Sequence, residues 1–199
     1  SKYIALSNES SANEPTVPDT EVNHQYSKSV AFENDFRNYV NEYISSDIQY
    51  FSFLRPINEL QIASLFAKNK NYYKVFKSCN VGSKTDSWCG KCPKCLFTYI
   101  IMSPFISEEE LKDIFGKNLL NDNDLLPILK QLKGEAEVKP FECVGTIEEV
   151  NACIEFSQKA KDERQKSFLV ESLLNQYDEN NNLPKHFEAI LKDNLFKNN

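Results

Sequence analysis

Residues 78–95 read SCNVGSKTDSWCGKCPKC and hold four of the six cysteines, Cys79, Cys89, Cys92 and Cys95. One distant cysteine followed by three at two-residue spacings is a zinc pattern. A short knuckle supplies close thiolates, and a longer loop brings in the remaining one. Gly90 falls between Cys89 and Cys92, where a tight turn aims backbone N–H groups at sulfur. Lys77, Lys84, Lys91 and Lys94 surround the cluster, which stays net negative with a divalent ion bound. Disulfides and free cysteines are the competing readings. No feature of the chain points to an oxidising compartment, which favours structural zinc. Four thiolates leave no open coordination position, so the metal is structural rather than catalytic.

Working outward, the chain has the composition of an ordinary globular protein. Its 199 residues are enough for one large domain or two small ones. A net charge of −6 argues against a nucleic-acid backbone binder. The longest apolar run, near Ile100–Met102, is far too short to span a membrane. The N-terminus does not read as a signal peptide, so the cytoplasm is the default location. KYIALSNES, residues 2–10, reads as a strand entering a functional loop at once. A natural chain rarely begins in mid-fold, and the sequence is expected to be the C-terminal part of a longer protein.

Upstream of the cysteines, Tyr3 to Leu6 and Ile48 to Leu54 read as strands. Each is followed by a helical pattern, one carrying Phe32, Phe36, Tyr39, Val40 and Tyr43, the other running from Ile57 to Lys68. Pro56 suits the first turn of the second helix. Strand, helix, strand, helix predicts an α/β fold with a partial open, mainly parallel sheet. In such a sheet the polar loops at the strand ends gather on one rim. Those loops offer Asn8, Glu9, Asn13, Glu14, Asn23, His24, Lys28 and Arg55. A solvated loop is the plainer reading for Ser7 to Pro15, and a surface or capping histidine for His24. Lys28, with exposed N–H groups of a helix start, suits an anion. Arg55 and Glu59 lie one turn apart and form an internal ion pair, or Arg55 clamps a carboxylate.

From Ser107 the character changes to helices. Ser107 with Glu110, and Thr146 with Glu149, are capping boxes, and Gly116 marks a helix end. A helix is expected from Ile147 to Lys161. The domain boundary is expected at 106/107: residues 1–106 form the α/β domain with its cysteine knuckle, and residues 107–199 a helical region. Before the second capping box lies KPFECVGT, Lys139 to Thr146. A helix start lowers a cysteine's pKa and attracts anions, so Glu142 and Cys143 are candidates to move a proton and Lys139 to bind a substrate anion. The plainer reading makes Cys143 a small buried hydrophobe.

Two resemblances follow from these motifs. WCGKCPKC preceded by a strand, LRP and a helix resembles the C-terminal half of PP-loop ATP pyrophosphatases such as 7-cyano-7-deazaguanine synthases. SNESSANEP, VNHQYSKS, FSFLRPINELQI, FKSCN, WCGKCPKC and KPFECVGT together resemble the C-terminal part of the UDP-N-acetylmuramoyl-L-alanyl-L-glutamate epimerase family. The second resemblance implies an enzyme of peptidoglycan synthesis that uses ATP and magnesium. It activates the terminal L-glutamate of a nucleotide-sugar peptide as an acyl adenylate, then inverts Cα. Glu142, Cys143 and His24 are its candidate acids and bases. Asn8, Glu9, Asn13, Glu14, Asn23, Lys28, Arg55, Glu59 and Lys139 are its candidate substrate contacts. The SGGxDS phosphate loop of the PP-loop proteins is absent from the sequence. The N-terminal PP-loop half is therefore expected to be missing, and the fragment alone inactive. Another adenylating enzyme of that superfamily and a non-catalytic zinc-stabilised binding module are the alternatives.

Overall fold

The computed structural model describes residues 2–158 and 168–196. The expected end of a helix at Lys161 lies outside the described residues. Two strands, β1 (Tyr3–Leu6) and β2 (Gln49–Ser52), pair in parallel with Tyr3 opposite Gln49 and Leu6 opposite Ser52. Eight helices account for most of the other regular structure among the described residues: α1 (Val30–Tyr43), α2 (Glu59–Ala67), α3 (Pro93–Met102), α4 (Glu108–Phe115), α5 (Leu126–Leu132), α6 (Ile147–Gln158), α7 (Phe168–Leu174) and α8 (Lys185–Phe196).

This overturns the expected open, mainly parallel sheet of PP-loop type. The described residues hold one two-stranded sheet in a largely helical chain. Only two runs have β-type composition, and the apolar residues elsewhere recur at helical spacing. Both expected strands form and pair in parallel, but the alternation of strand and helix stops with them, so the sheet gains no further strand among the described residues.

α3 is the hub. Every residue from Cys95 to Met102 is buried, so the helix is apolar all round, as an interior helix must be. α2, α4, α5 and α6 pack on it. Leu96, Tyr99 and Ile100 are each no more than 2% exposed, and burying such side chains contributes roughly 1.5–3 kcal/mol apiece. A second, smaller cluster joins Phe51 of β2 and Ile57 to Leu183, Leu191 and Leu195 at α8.

Local signals set the helix starts. Ser107 and Glu110 form the expected capping box of α4, and Gly116 ends it at φ 82°. α2 begins later than expected. Asn58 caps it reciprocally with Gln61, which leaves Pro56 outside the first turn. The Asn58 amide also donates to the Leu173 carbonyl, and Gln61 Nε2 to those of Leu174 and Gln176. These bonds tie the residues of α7 to the start of α2.

Arg55 is wholly buried. Its Nη1 donates to the Glu9 carbonyl at 2.6 Å, and its Nη2 to the Lys28 carbonyl and, at 3.4 Å, to Ser52 Oγ and Glu33 Oε2. The ion pair is thus with Glu33, not Glu59. Asn182 Nδ2 donates to the other Glu33 oxygen at 3.0 Å. Removing one partner strands the other charge without water or counter-ion. Arg55→Ala is therefore expected to cost about 3–5 kcal/mol in urea unfolding, with Glu33→Gln, which keeps a hydrogen-bonding group, costing less.

Candidate functional site

The sulfurs of Cys79, Cys89, Cys92 and Cys95 all lie within 4.8 Å of one another. Cys79–Cys92, Cys89–Cys95 and Cys92–Cys95 are separated by 3.8, 3.7 and 3.5 Å. A tetrahedral zinc with Zn–S bonds of about 2.3 Å has sulfurs about 3.8 Å apart. The spacing is far too wide for disulfide bonds, and all four cysteines are free. Gly90 adopts φ 65° in the expected turn, and the Gly82 N–H donates to Cys79 Sγ at 3.2 Å. The cluster is able to chelate a metal ion, and its thiolates and spacing fit zinc. Cys95 is also a core residue of α3, so the ion would fasten the 78–92 loop directly to the hub.

The loop 139–146 is held from several sides. Lys139, itself buried, pairs with Glu14 and donates to the Gly145 carbonyl at 2.9 Å. The Glu14 carboxylate also accepts the Ile147 N–H at 3.3 Å, at the start of α6. At Gly145 a Cβ would meet Glu149 Oε2 at 2.6 Å and the Phe97 ring at 2.8 Å, so any side chain there would displace the loop. Asn80, one residue past a metal ligand, donates to Glu142 Oε2 at 3.2 Å. The loop therefore leans on the metal knuckle. It presents half-buried Cys143, whose sulfur accepts from Lys28 Nζ at 2.9 Å. This contact offers a proton route between nitrogen and sulfur.

Lys28 is also the electrostatic neighbour of two half-buried carboxylates. Burial raises Glu9, against the opposing pull of its own N–H, Lys28 and Arg55. Glu59 is pushed up to about 8, chiefly by desolvation and then by the charges of Glu9 and Glu149, with Lys28 and Lys94 opposing. Glu149 is fully buried and committed. It accepts from the Leu60 N–H at 3.1 Å and from the Thr146 N–H and hydroxyl at 2.7 and 3.0 Å. Its hydrogen bonds join the starts of α2 and α6.

The residues singled out in the sequence sort into two groups. Glu9, Lys28, Glu59 and Cys143 share one neighbourhood. Asn8, Asn13, Glu14, Asn23, Arg55 and Lys139 are taken up by the scaffold. Asn8 donates to Ser52 Oγ, Asn13 Oδ1 accepts the Val30 N–H, and Asn23 bridges the Ala12 carbonyl and the Gln25 N–H. Asn13 and Ser29 thus occupy the Val30 and Phe32 N–H groups at the start of α1. His24 lies at the edge, its Nδ1 2.8 Å from Thr16 Oγ1 and its ring against Phe141. Partial burial and then the charges of Lys139 and Lys28 lower its pKa, which favours the neutral ring. Glu149 and Lys94 were not singled out for the site. The Thr146–Glu149 capping box gave a signal for Glu149, but its reach to Leu60 is a tertiary contact.

Comparison with known proteins defines the class. The MurL C-terminal domain profile matches residues 75–188, and the MurL N-terminal domain profile matches residues 1–53. The chain belongs to the MurL epimerase family. It is 43% identical over 150 residues to the UDP-N-acetyl-alpha-D-muramoyl-L-alanyl-L-glutamate epimerase of Xanthomonas oryzae pv. oryzae, an alignment covering 71% of the chain and 33% of that protein. Proteins of the same name from Micromonospora sp. and Salinispora tropica are 41% and 40% identical, over 73% of the chain and 34% and 33% of their lengths. The chain thus spans about a third of the length of these curated relatives. No solved structure matches it. The match at residues 1–53 corrects two expectations. The resemblance is not confined to the family's C-terminal part, and sequence of its N-terminal domain is present rather than missing. Among the described residues no helix is long and apolar enough to cross a membrane.

Two outcomes are expected. Metal analysis should find about one zinc per chain, with Cys92→Ser losing it and melting at a lower temperature. The folded state retains a proton on Glu59 between the ordinary carboxylate value of 4.5 and about 8, whereas the unfolded chain has released it. Stability should therefore decline as pH rises through that window, and Glu59→Gln should flatten the decline in melting temperature measured from pH 5 to 9.

Proposed function

We propose that this chain acts in an epimerase that inverts the terminal L-glutamate of a UDP-N-acetylmuramoyl-L-alanyl dipeptide for peptidoglycan synthesis. The observation that carries this reading is the family match at both domains, together with the activity that the relatives' names state. In this reading, ATP and magnesium activate the α-carboxylate as an acyl adenylate. The chemistry supports that step, because deprotonating Cα beside a free carboxylate would create an unstable dianion, and an acyl ester removes that charge. We assign no residue to ATP. A nucleotide-linked substrate and a thiolate-held metal both suit the cytoplasm.

Within the site, Cys143 with Lys28 is the proton-transfer pair that meets Cα. The sulfur is half-buried, is fixed by a loop anchored on both sides, and has a proton donor in contact at 2.9 Å. His24 and Glu142 stand beside this pair, Glu142 held by Asn80. Asn80 and the metal knuckle act on the reaction by positioning the loop.

The complete gene product, given UDP-N-acetylmuramoyl-L-alanyl-L-glutamate, ATP and magnesium, should yield D-glutamate after acid hydrolysis and chiral separation. Cys143→Ser should lower that rate by about 100-fold or more, the scale of a lost acid–base group. Absence of any D-glutamate with the unaltered protein would overturn the reading.

A further inference from the structure

Lys28 and Cys143 touch at 2.9 Å although 115 residues separate them in the chain. Lys28 lies in the segment that matches the family's N-terminal domain, and Cys143 in the segment that matches its C-terminal domain. Their contact therefore depends on what registers residues 139–147 against residues 14–28. We propose that Glu14 is the positioning residue that does this. Its one carboxylate fastens both ends of the loop that carries Cys143, and through that loop it sets the sulfur against Lys28. The consequence for catalysis rests on the epimerase reading above.

The attachment is bidirectional. At the first residue of the loop, the buried Lys139 ammonium pairs with Glu14 Oε2 and donates to the Gly145 carbonyl at 2.9 Å. Just past the last residue, the Ile147 N–H lies 3.3 Å from both Glu14 oxygens. Cys143 stands midway, four residues from either attachment. A single side chain thus closes the loop on itself, with the sulfur at its middle.

Glu14 is itself held in place. Its N–H donates to the Ser11 carbonyl at 3.3 Å, and its neighbour Asn13 accepts the Val30 N–H at 2.9 Å, two residues beyond Lys28. The Thr16 carbonyl accepts the Lys139 N–H at 3.1 Å, and Gln25 Nε2 donates to the Val144 carbonyl at 3.4 Å. The segment that supplies Lys28 is therefore the segment that grips the base of the Cys143 loop. Of these contacts, those of Glu14 reach both ends of the loop. The Lys139 side chain is only 6% exposed, so water cannot stand in for the carboxylate that neutralises it. Without Glu14 the ammonium must turn towards solvent, which moves the first residue of the loop and withdraws the bond to Gly145. Glu14 acts at the ends of the loop and not at the reacting atoms, and a small displacement of a reacting group costs rate.

The test is a double-mutant cycle in the complete gene product. One readout is D-glutamate formation, and the other is alkylation of Cys143 by iodoacetamide, followed by peptide mapping in the absence of substrate. Glu14→Ala should lower kcat by about 100-fold, the cost of a misplaced group, with a smaller change in KM. In a Cys143→Ser background the same substitution should have little further effect on kcat, because the group it positions is gone. Alkylation of Cys143 should be about 10-fold faster in Glu14→Ala, the effect of losing about 1.4 kcal/mol of restraint on the loop. Cys153, fully buried, should remain as slow as in the unaltered protein.

Should Glu14→Ala disturb folding, Glu14→Gln combined with Lys139→Met removes both charges and keeps an acceptor for the Ile147 N–H. That pair should melt near the unaltered temperature and still show both effects, because the first end of the loop is unfastened. Unaltered kcat and unaltered Cys143 alkylation in a variant that melts normally would overturn the proposal. So would a full further loss of kcat in the Cys143→Ser background, since Glu14 would then act elsewhere. If the unaltered protein forms no D-glutamate, the epimerase reading falls, and the alkylation rates alone decide whether Glu14 holds the loop.

Discussion

The buried Arg55 guanidinium is the constraint on which the other parts depend. It sits where the chain leaves β2. From there it binds the backbone after β1 at Glu9, the backbone before α1 at Lys28, and the Glu33 side chain within α1. The segments around residues 9 and 28–33 are thus registered with the end of β2 against one planar cation. A guanidinium suits this role because its donors point in fixed directions within a plane, which a lysine ammonium cannot reproduce. Two of the anchored residues, Glu9 and Lys28, carry side chains into the candidate site. Positions there inherit their precision from an interaction buried in the scaffold.

A second constraint comes from α3. One helix is at once the last part of the metal knuckle and the centre of the core, since Cys92 directly precedes it, Cys95 lies in its first turn, and the residues beyond are buried. From the knuckle, Asn80 reaches Glu142, and from the core, Phe97 presses on Gly145. The loop bearing Cys143 is therefore gripped at both ends by a single rigid body. Loops that carry chemistry usually gain precision from a scaffold of this kind.

Local chemistry was the part legible in the sequence. Cysteine spacing, the Ser107–Glu110 and Thr146–Glu149 boxes and the Gly116 stop each depend on a few neighbouring residues, and each forms as read. Reach across the chain was not legible. The Arg55 spacing pointed to Glu59 one turn on, but an arginine side chain entering the interior found Glu33 of α1 instead. Asn8, Asn13, Asn23 and Glu14 have the composition of a ligand-binding loop, yet their hydrogen bonds close the turns and cap the helices of their own fold. β1 and β2 look like the start of a larger sheet, but the helical periodicity downstream does not continue it. Glu59 lies one turn from Arg55 in the sequence, but what raises its carboxyl is burial and then the charges of Glu9 and Glu149, which only folding brings about.

The placement of Cys95 has a consequence for how the chain can be divided. Because this one residue is both a sulfur ligand and a wholly buried member of the core, the metal knuckle is not a detachable module. A cut before α3 would separate three ligands from the fourth, and a cut after it would carry away the helix on which α2, α4, α5 and α6 are assembled. Recombination between relatives would therefore have to exchange the knuckle and the core together, as one inherited block.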